Sequence, residues 1–495
     1  MAYRDLRNYL LRLERCGQLK RIRAPVSQDL EITEIADRVV KGALEKNVAL
    51  LFENVRDHAL RMPIAINLFG TEQRMAWALG VERLNDLNEK LSEFISMDMP
   101  RGLIEKATRG LEMLSGLKNT EPRYVNRAAC QEVVMDPPRL SALPILKCWP
   151  KDGGRTITFA VTITKDPDSG DAHAGIYRLQ QYGRDTLGFH AQIHRVGANN
   201  LRKWAARGER MPVAAVLGGD PATVFSGLAP VPEGLSNFVF AGFLRGAPVE
   251  MVPARSVDLE VPAQAEIVLE GYVDPTERTV EGPFGDHTGY YSAAEPFPVV
   301  HVTRVTRRER PVYLTTVTGR PPTEDSVLGK AVERIFRPVV RLVLPELVDM
   351  NLPQEGLFIN VGIVSIRKAY PGHPRKVMHA LWGLGQLMFV RYLIVVDEDV
   401  DVHDLSEVLY RVGLQADPAR DLERVEGPVD QLSISNPVPN FGGKVGIDAT
   451  RKRPEDGFPR PWPEEIRSDP AAAKAAERAM RSDPTLAALL DGRPR

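Results

Sequence analysis

The sequence is poor in cysteine and has almost no net charge. Its three cysteines, Cys16, Cys130 and Cys148, stand far apart among 495 residues and form no CxxC pair. This spacing argues against a disulfide framework or a structural zinc site and is typical of a reducing compartment. Lysine and arginine total 64, against 65 aspartates and glutamates, for a net charge of -1. Because no basic surface is indicated, we expect no nucleic acid and no anionic membrane as partner.

Targeting segments and common cofactor motifs are also missing. The first segment, MAYRDLRNYLLRLERCGQLKRI, is charged throughout and lacks the apolar core of a secretory signal. No stretch approaches the roughly 18 uninterrupted apolar residues of a membrane span, so we expect a cytoplasmic protein. The sequence contains no GxxxxGKS/T phosphate loop, no strand-linked GxGxxG and no GxSxG nucleophile elbow.

Within the first two thirds of the chain, the sequence pattern changes near residue 118. Residues 1–118 alternate helical and short apolar segments, including a helical pattern over 71–116, and predict an α+β domain. Residues 119–310 carry many short β-branched runs, such as TITFAVTIT from Thr156, separated by glycine, proline and aspartate turns. Many short strands with few long helices favour a β-sandwich or a β-barrel.

The last third alternates strands and helices. Residues 311–450 include a predicted strand over 312–317 and a predicted helix over 376–389, and this alternation is typical of an α/β domain. Residues 451–495 begin rich in proline and charge and end in an alanine-rich stretch, which predicts a linker and a C-terminal helix.

The densest group of reactive side chains lies in residues 281–291, EGPFGDHTGYY. Glycine and proline shape a backbone that is neither helix nor strand, and loops of this kind often present catalytic groups. Glu281 and Asp286, if held close together, could differ in pKa, one acting as an acid and the other as a base. The alternative is a tight turn in which Asp286 and Thr288 only satisfy backbone donors. The residues alone leave both interpretations open.

A second group lies in residues 173–181, HAGIYRLQQ, and 188–195, GFHAQIHR. Arg178 interrupts a strand-like run, and a buried arginine needs a carboxylate or phosphate partner. His190 and His194 are four residues apart, so they share one face of a helix or a strand and could bind a metal. For either histidine, the alternative is a ring that packs or hydrogen-bonds in the core.

Several long motifs resemble the UbiD family. In chain order they are LPILKCWPKDGG (143–154), GIYRLQQYG (175–183), VPAQAEIVLEGY (261–272), EGPFGDHTGYY (281–291), TGRPPTED (318–325) and LIVVDEDVDV (393–402). The similarity runs in order from about residue 5 to about residue 455. It implies an N-terminal α+β domain, a central split β-barrel related to flavin reductases and a C-terminal α/β domain.

The resemblance also implies an activity. UbiD-type enzymes are carboxy-lyases that remove or add carbon dioxide on aromatic or α,β-unsaturated carboxylic acids. They use prenylated FMN, supplied by a separate flavin prenyltransferase, usually with a divalent metal such as Mn²⁺ and a monovalent cation such as K⁺. We therefore expect a small-molecule acid as substrate, either from quinone (ubiquinone or menaquinone) biosynthesis or from aromatic acid metabolism. The alternative is a flavin-binding relative that is not catalytic or that catalyses a different reaction.

The same resemblance implies an oligomeric state and a location in the cell. A homo-oligomer, either a dimer or a hexamer, is expected. If the substrate is prenylated, we expect the protein to work at the membrane surface.

Matching the family motifs residue by residue gives candidate site residues. The acid–arginine–acid network of the family falls on Glu281, Arg178 and Asp286. Arginine can hold both carboxylates and that of the substrate, and an acid must protonate the substrate carbon once carbon dioxide has left. The cofactor-contact positions fall on Ile176, Tyr177, Arg178, His190, Ala191, Gln192 and Arg195.

The matched metal-ligand positions depart from the Asn, His and Glu that the family usually has. They hold His173, His194 and Asn237. All three side chains can donate a lone pair, but none carries a negative charge. We therefore expect weaker binding of a hard cation such as Mn²⁺ and a shift in preference toward zinc, cobalt or nickel.

Overall fold

The structure is a computed structural model that describes residues 3–56, 58, 60–96, 120–231 and 235–485. The later part of the predicted helical segment, residues 97–116, lies outside the described residues. None of the helices in the described part is both long and apolar enough to cross a membrane.

The described α-helices are α1 (Leu6–Arg15), α2 (Glu31–Lys41), α3 (Glu72–Ala78), α4 (Leu84–Ser96), α5 (Val196–Arg207), α6 (Pro221–Ser226), α7 (Asn237–Arg245), α8 (Glu324–Val343), α9 (His373–Trp382), α10 (Leu405–Gln415) and α11 (Pro470–Ser482). The strands of the N-terminal half are β1 (Leu19–Ile22), β2 (Val26–Ser27), β3 (Ala49–Phe52), β4 (Val55–Arg56), β5 (Ile64–Ile66), β6 (Arg123–Tyr124), β7 (Val133–Met135), β8 (Thr156–Lys165), β9 (Ala172–Gln181), β10 (Thr186–Phe189) and β11 (Met211–Leu217). The later strands are β12 (Glu250–Pro253), β13 (Glu260–Pro262), β14 (Ile267–Glu281), β15 (Glu295–Arg307), β16 (Tyr313–Leu314), β17 (Leu347–Asn351), β18 (Val361–Ile366), β19 (Tyr392–Asp397), β20 (Leu422–Pro428) and β21 (Phe441–Asp448).

A four-stranded sheet with the order β1-β3-β5-β16 forms the N-terminal part. Helix α1 packs on it through one apolar face, which buries Leu6, Tyr9, Leu10 and Leu13. The helix begins cleanly because the Asp5 side chain accepts a hydrogen bond from the Asn8 backbone N–H. The predicted amphipathic N-terminal segments therefore do build a mixed α and β layer.

Strand β16 belongs to a different layer from the one that the sequence suggested. We expected residues 312–317 to begin the C-terminal α/β domain, but only Tyr313–Leu314 forms a strand, and it pairs in parallel with Ile64 and Ala65 of β5. Tyr313 and Leu314 are fully buried there. Burial against the N-terminal core decides the placement, because strand propensity alone does not specify the neighbouring strand.

The central part is a closed barrel of six antiparallel strands. Its order is β10-β9-β8-β11-β14-β15, and pairing of β10 with β15 closes the ring, with Gly188 opposite Val299. Closure removes the free edges that an open sheet would expose. Strand β7 adds to β15 outside the ring. Of the two expected architectures, the barrel is confirmed and the sandwich is wrong.

The C-terminal part is a five-stranded mixed sheet with the order β17-β18-β19-β21-β20, accompanied by α8, α9 and α10. The predicted helix over 376–389 is too long. Helix α9 ends at Trp382 with Gly383 as its C-cap, and a separate 3-10 turn, Gly385–Phe389, follows. Gly385 has a φ of +50°, which favours glycine and separates the turn from the helix.

Candidate active site

A cavity of about 580 Å³ lies where strand β9, the loop after β14, helix α8 and the turn Gly385–Phe389 meet. Its polar end is lined by Arg178, His190, Asp286, His287 and Asp325. Its apolar end is lined by side chains of α8 and of the C-terminal part, including Leu328, Val332, Phe336, Leu384 and Leu387. Cavities of this size with a few converging polar groups are typical of small-molecule and cofactor sites.

Arg178 organises the polar end. From the middle of β9 it donates two hydrogen bonds to Glu281, Nε to Oε1 at 2.9 Å and Nη2 to Oε2 at 3.0 Å. Its Nη1 donates to Oδ2 of Asp286, and its Nη2 also lies 3.3 Å from Oγ of Ser292. The Phe284 ring lies against the guanidinium, 4.8 Å from ring centroid to carbon. The three residues that the motifs predicted as a network are thus joined in the structure.

Both carboxylates of the network are held ionised. Burial of Glu281, whose exposure is 0 %, would raise its pKa, but the hydrogen bonds from His190 and Arg178 outweigh burial and lower it. Burial would likewise raise the pKa of Asp286, but His287 and Arg178 hold it well below its ordinary value. The pair is therefore not split into an acid and a base in this state.

His190, at the end of β10, connects the network to the cavity. Its Nδ1 lies 3.1 Å from Oε2 of Glu281. Burial lowers its pKa more than Glu281 raises it, so the ring is neutral at pH 7 and Nδ1 carries the proton that Glu281 accepts. Its buried Nε2 has no hydrogen-bond partner among the described residues. A buried polar atom of this kind calls for a ligand or a water molecule.

The loop that carries Asp286 is held by close backbone packing. The two Asp152 carboxylate oxygens accept the backbone N–H groups of Gly285 and Trp149. A Cβ at Gly285 would lie 2.2 Å from the Trp149 ring, so only glycine allows this approach. Trp149 Nε1 donates to the Thr318 carbonyl, and the Thr318 hydroxyl donates to the Gly285 carbonyl. These contacts fix the backbone of the loop, so the loop holds Asp286 in place and does more than reverse the direction of the chain.

Two titratable residues of the site were not singled out from the sequence. His287 contacts Asp286 through Nδ1 at 3.2 Å, and although burial lowers its pKa, this carboxylate raises it overall. Asp325 lines the cavity from the first turn of α8, and burial together with repulsion from Asp286 raises its pKa to about 7. Both lie inside motifs that carried the resemblance, DHT and PTED, but spacing along the chain did not reveal that the two motifs face each other.

The predicted cofactor positions mostly face the cavity. Ile176, Tyr177, Gln192 and Arg195 line it, as do Arg178 and His190. The Arg195 guanidinium lies 5.4 Å from the Tyr177 ring, and its Nη2 donates to the Ile176 carbonyl. This cation suits the anionic phosphate of a cofactor, and His190 Nε2, an acceptor in this tautomer, suits an N–H donor, so these residues fit a flavin mononucleotide. Ala191 does not line the cavity as the structure describes it.

The predicted metal positions fit a hard cation poorly. Asn237 is buried, its Oδ1 accepts the Ala174 N–H at 3.1 Å, and its Nδ2 donates to the Ser226 carbonyl at 2.8 Å. The His194 ring packs on Phe389, 4.6 Å between centroids. Burial, helped by Arg195, lowers the pKa of His173 to about 4, which leaves a neutral imidazole. Across the described residues, no three His, Cys, Asp or Glu side chains are grouped to hold an ion.

Comparison with known sequences identifies three matching domains of one family. They are the N-terminal, Rift-related and C-terminal domains of 3-octaprenyl-4-hydroxybenzoate carboxy-lyase (UbiD), which match residues 10–93, 123–321 and 326–449. An uncharacterized protein of Archaeoglobus fulgidus is 48% identical over 95% of this chain and 96% of its own length. A second uncharacterized protein, from Aquifex aeolicus, is 46% identical over 95% of this chain and 97% of its own.

Solved structures give the same result. The closed form of vanillic acid decarboxylase from Sedimentibacter hydroxybenzoicus superposes with a TM-score of 0.85 at 28% identity, covering 97% of this chain and 99% of that one. The UbiD-class enzyme HmfF from Pelotomaculum thermopropionicum, in complex with FMN, gives a TM-score of 0.76 at 30% identity, covering 95% and 98%. The chain belongs to the UbiD family of carboxy-lyases.

Proposed function

We propose that this protein is a decarboxylase that acts reversibly and without oxidation on an aromatic or α,β-unsaturated carboxylic acid, with prenylated FMN as cofactor. The observation that carries the proposal is the Glu281–Arg178–Asp286 network, whose Arg178 and Asp286 line a cavity with a largely apolar lining. The related HmfF, whose structures contain FMN or prenylated FMN, and the related vanillic acid decarboxylase support it.

Arg178 is the residue that we assign to the substrate carboxylate. A guanidinium has five N–H donors, and the contacts with Glu281, Asp286 and Ser292 use four of them. One Nη1 donor remains, on a side chain that faces the cavity. The two ionised carboxylates hold the guanidinium plane in place, so a substrate anion meets a charge that is already oriented.

The cofactor, when bound, supplies an electron sink for the carbon that loses carbon dioxide. We assign its binding to Ile176, Tyr177, Gln192 and Arg195, with Ala191 as a backbone neighbour. Arg195 offers a positive charge for the phosphate, and His190 Nε2 offers a hydrogen-bonding atom near the network. The role of each of these residues is part of the proposal.

The apolar end of the cavity sets the kind of acid that fits. Leu328, Val332 and Phe336 follow one another along the cavity face of α8, and Leu384 and Leu387 lie on the C-terminal side. These side chains favour a flat apolar body and exclude water from the reacting carbon. An aromatic acid satisfies both ends, with its carboxylate at Arg178 and its ring against α8.

Other features stay predictions from the sequence and the family. They are the kinship of the barrel with flavin reductases, a homo-oligomeric assembly, a role in quinone biosynthesis, the cytoplasmic location and K⁺ at the cofactor. We derive no step through a divalent metal, because Asn237 is already used by two backbone groups and no carboxylate accompanies His173 and His194. The same observation favours the second candidate, a flavin-binding relative that does not decarboxylate.

Co-expression with a flavin prenyltransferase tests both candidates. We expect mass spectrometry of the purified protein to find prenylated FMN, and an anaerobic panel of aromatic acids to release carbon dioxide from at least one member. Glu281→Gln is the matched comparison, because it removes a charge from the network while keeping its shape. Bound prenylated FMN without carbon dioxide from any acid would support the non-catalytic relative instead. Full activity with unmodified FMN alone would refute the cofactor assignment.

A further inference from the structure

Asn237 stands where the family usually has an acidic metal ligand, and its amide group is already used inside the protein. Its Oδ1 accepts the Ala174 backbone N–H at 3.1 Å, and its Nδ2 donates to the Ser226 carbonyl at 2.8 Å. The residue is 3 % exposed. Turning its oxygen towards a metal would leave buried backbone groups without partners, which is costly. Asn237 is therefore a structural bridge between β9 and α6 and not a free ligand.

The two histidines of the matched set do not replace the missing carboxylate. His194 is exposed, and its ring packs on Phe389 with 4.6 Å between the centroids. In the part of the chain that the structure describes, neither His173 nor His194 belongs to a cluster of three His, Cys, Asp or Glu side chains. Neutral imidazoles without an anionic oxygen are poor ligands for a hard cation such as Mn²⁺.

Arg195 already places a positive charge near both imidazoles. Burial is the largest cause that lowers the pKa of His173 and of His194, and the guanidinium of Arg195 lowers both further. Asp430 acts in the opposite direction, on His194. A divalent cation held by these two rings would be repelled by this guanidinium. The region of the predicted metal site is therefore already supplied with a cation by the protein itself.

Arg195 is also well placed to bind a phosphate. It lines the cavity, and its Nη2 donates to the Ile176 carbonyl at 3.3 Å. A guanidinium has five N–H donors, so donors remain for an anion. Arg195 is the N-cap residue of α5, a helix of 12 residues with no acidic side chain in its first turn. The positive end of the helix dipole therefore lies beside the guanidinium, and both favour a phosphate.

We propose that this protein binds the phosphate of its flavin with Arg195 and the start of α5, and without a divalent metal ion. The inference rests on the proposed flavin cofactor. A guanidinium stays protonated throughout the physiological pH range, and a chelator cannot remove it. Flavin binding should therefore depend on the phosphate group of the flavin and not on the supply of metal.

Flavin titrations of the full chain freed of cofactor test the proposal without turnover. Protein purified in EDTA is titrated with FMN, and the quenching of flavin fluorescence gives Kd. Replacing EDTA by manganese, zinc, cobalt or nickel should change this Kd less than about threefold. Arg195→Met should weaken FMN binding about 10- to 150-fold, as expected for a lost hydrogen bond between charged groups. Arg207→Met, which removes an exposed arginine paired with Asp168 at the other end of α5, should bind FMN like the wild type.

Riboflavin separates the contribution of the phosphate from that of the ring system. Because riboflavin has no phosphate, the wild type and Arg195→Met should bind it equally, and this binding also shows that the variant is folded. Equal affinities of the wild type and Arg195→Met for FMN overturn the proposal. If Arg195→Met does not fold, the wild type decides alone: a metal that tightens FMN binding more than about threefold overturns the proposal.

The protein loaded by co-expression with a flavin prenyltransferase gives an independent measurement. After dialysis against EDTA, the flavin should remain bound, and elemental analysis should find far fewer divalent metal ions than flavins. If EDTA removes the flavin from a protein that released carbon dioxide before treatment, the inference fails and the decarboxylase function stands. If FMN binding does not respond to metals but no acid is decarboxylated, the decarboxylase function fails and the inference stands.

Discussion

Arg178→Met should destabilise the protein strongly, and the loss should depend on pH. The change leaves Glu281, with 0 % exposure, and Asp286, with 8 % exposure, without their shared cation. Removing one partner of a buried ion pair costs about 3–5 kcal/mol, because the remaining charge stays buried. For a cooperative unit the size of the central part, this corresponds to a fall in Tm of about 6–20 °C. Turnover should be lost as well.

The pH dependence follows from the direction of the pKa shifts. In the wild type the pKa values of Glu281 and Asp286 are lowered, so their ion pairs stabilise the folded state above about pH 4 and this contribution fades as the pH falls. Without Arg178, burial weighs more at both carboxyl groups, so we expect their pKa values to rise above those of the wild type although His190 and His287 remain. The difference between variant and wild type should therefore grow with pH, be largest at pH 7 and above, and vanish only well below pH 4.

Thermal unfolding between pH 4 and 8 measures this difference. Arg21→Met is the matched control, because the ion pairs of Arg21 with Glu14 and Glu53 are exposed and should contribute at most about 1 kcal/mol. In the double variant Arg178→Met with Glu281→Gln, the loss should be smaller than in Arg178→Met alone, because one stranded charge is gone. A loss below 1 kcal/mol that does not change with pH would refute the electrostatic reasoning.

Three further changes test other parts of the structure. Gly285→Ala should abolish turnover and lower Tm by several degrees, measured by scanning calorimetry, because its Cβ would collide with Trp149. Asn237→Glu should tighten manganese binding in a titration of the cofactor-loaded protein, since it adds a charge; no gain would mean that the three proposed ligands share no metal. Asp325→Asn should be about 2–4 kcal/mol more stable than the wild type in urea unfolding at pH 8 and equal near pH 4, because a folded pKa of about 7 instead of 3.8 disfavours folding as the pH rises.

Local patterns in the sequence predicted most elements of the fold. The β-branched run from Thr156 became strand β8, and the mixed apolar spacing near the N-terminus became helix α1. Patterning could not choose between sandwich and barrel, because that choice depends on the pairing of Gly188 with Val299, more than 100 residues apart. Patterning also predicted the wrong end for helix α9. Gly383 ends this helix, although the apolar repeat of the sequence continues beyond it.

The sequence predicted those residues of the candidate site that lie within recognisable motifs. The motifs around Arg178 and Glu281 named the network, and the structure brings its members together, although their catalytic roles remain predictions. Asp325 was missed because its importance comes from its surroundings. An aspartate after a glutamate at a helix start is ordinary in sequence, and only burial opposite Asp286 makes it unusual.

The return of β16 to the N-terminal sheet has a consequence for synthesis on the ribosome. Strand β5 meets its outer neighbour, Tyr313–Leu314, only after about 250 further residues, and therefore after the strands of the whole barrel, have been made. Until then one edge of the first sheet stays open, as does the apolar surface that Tyr313 later covers. A nascent or truncated chain that ends before residue 313 therefore has an incomplete N-terminal sheet with an unpaired, aggregation-prone edge strand. Fragments for expression should extend beyond residue 314.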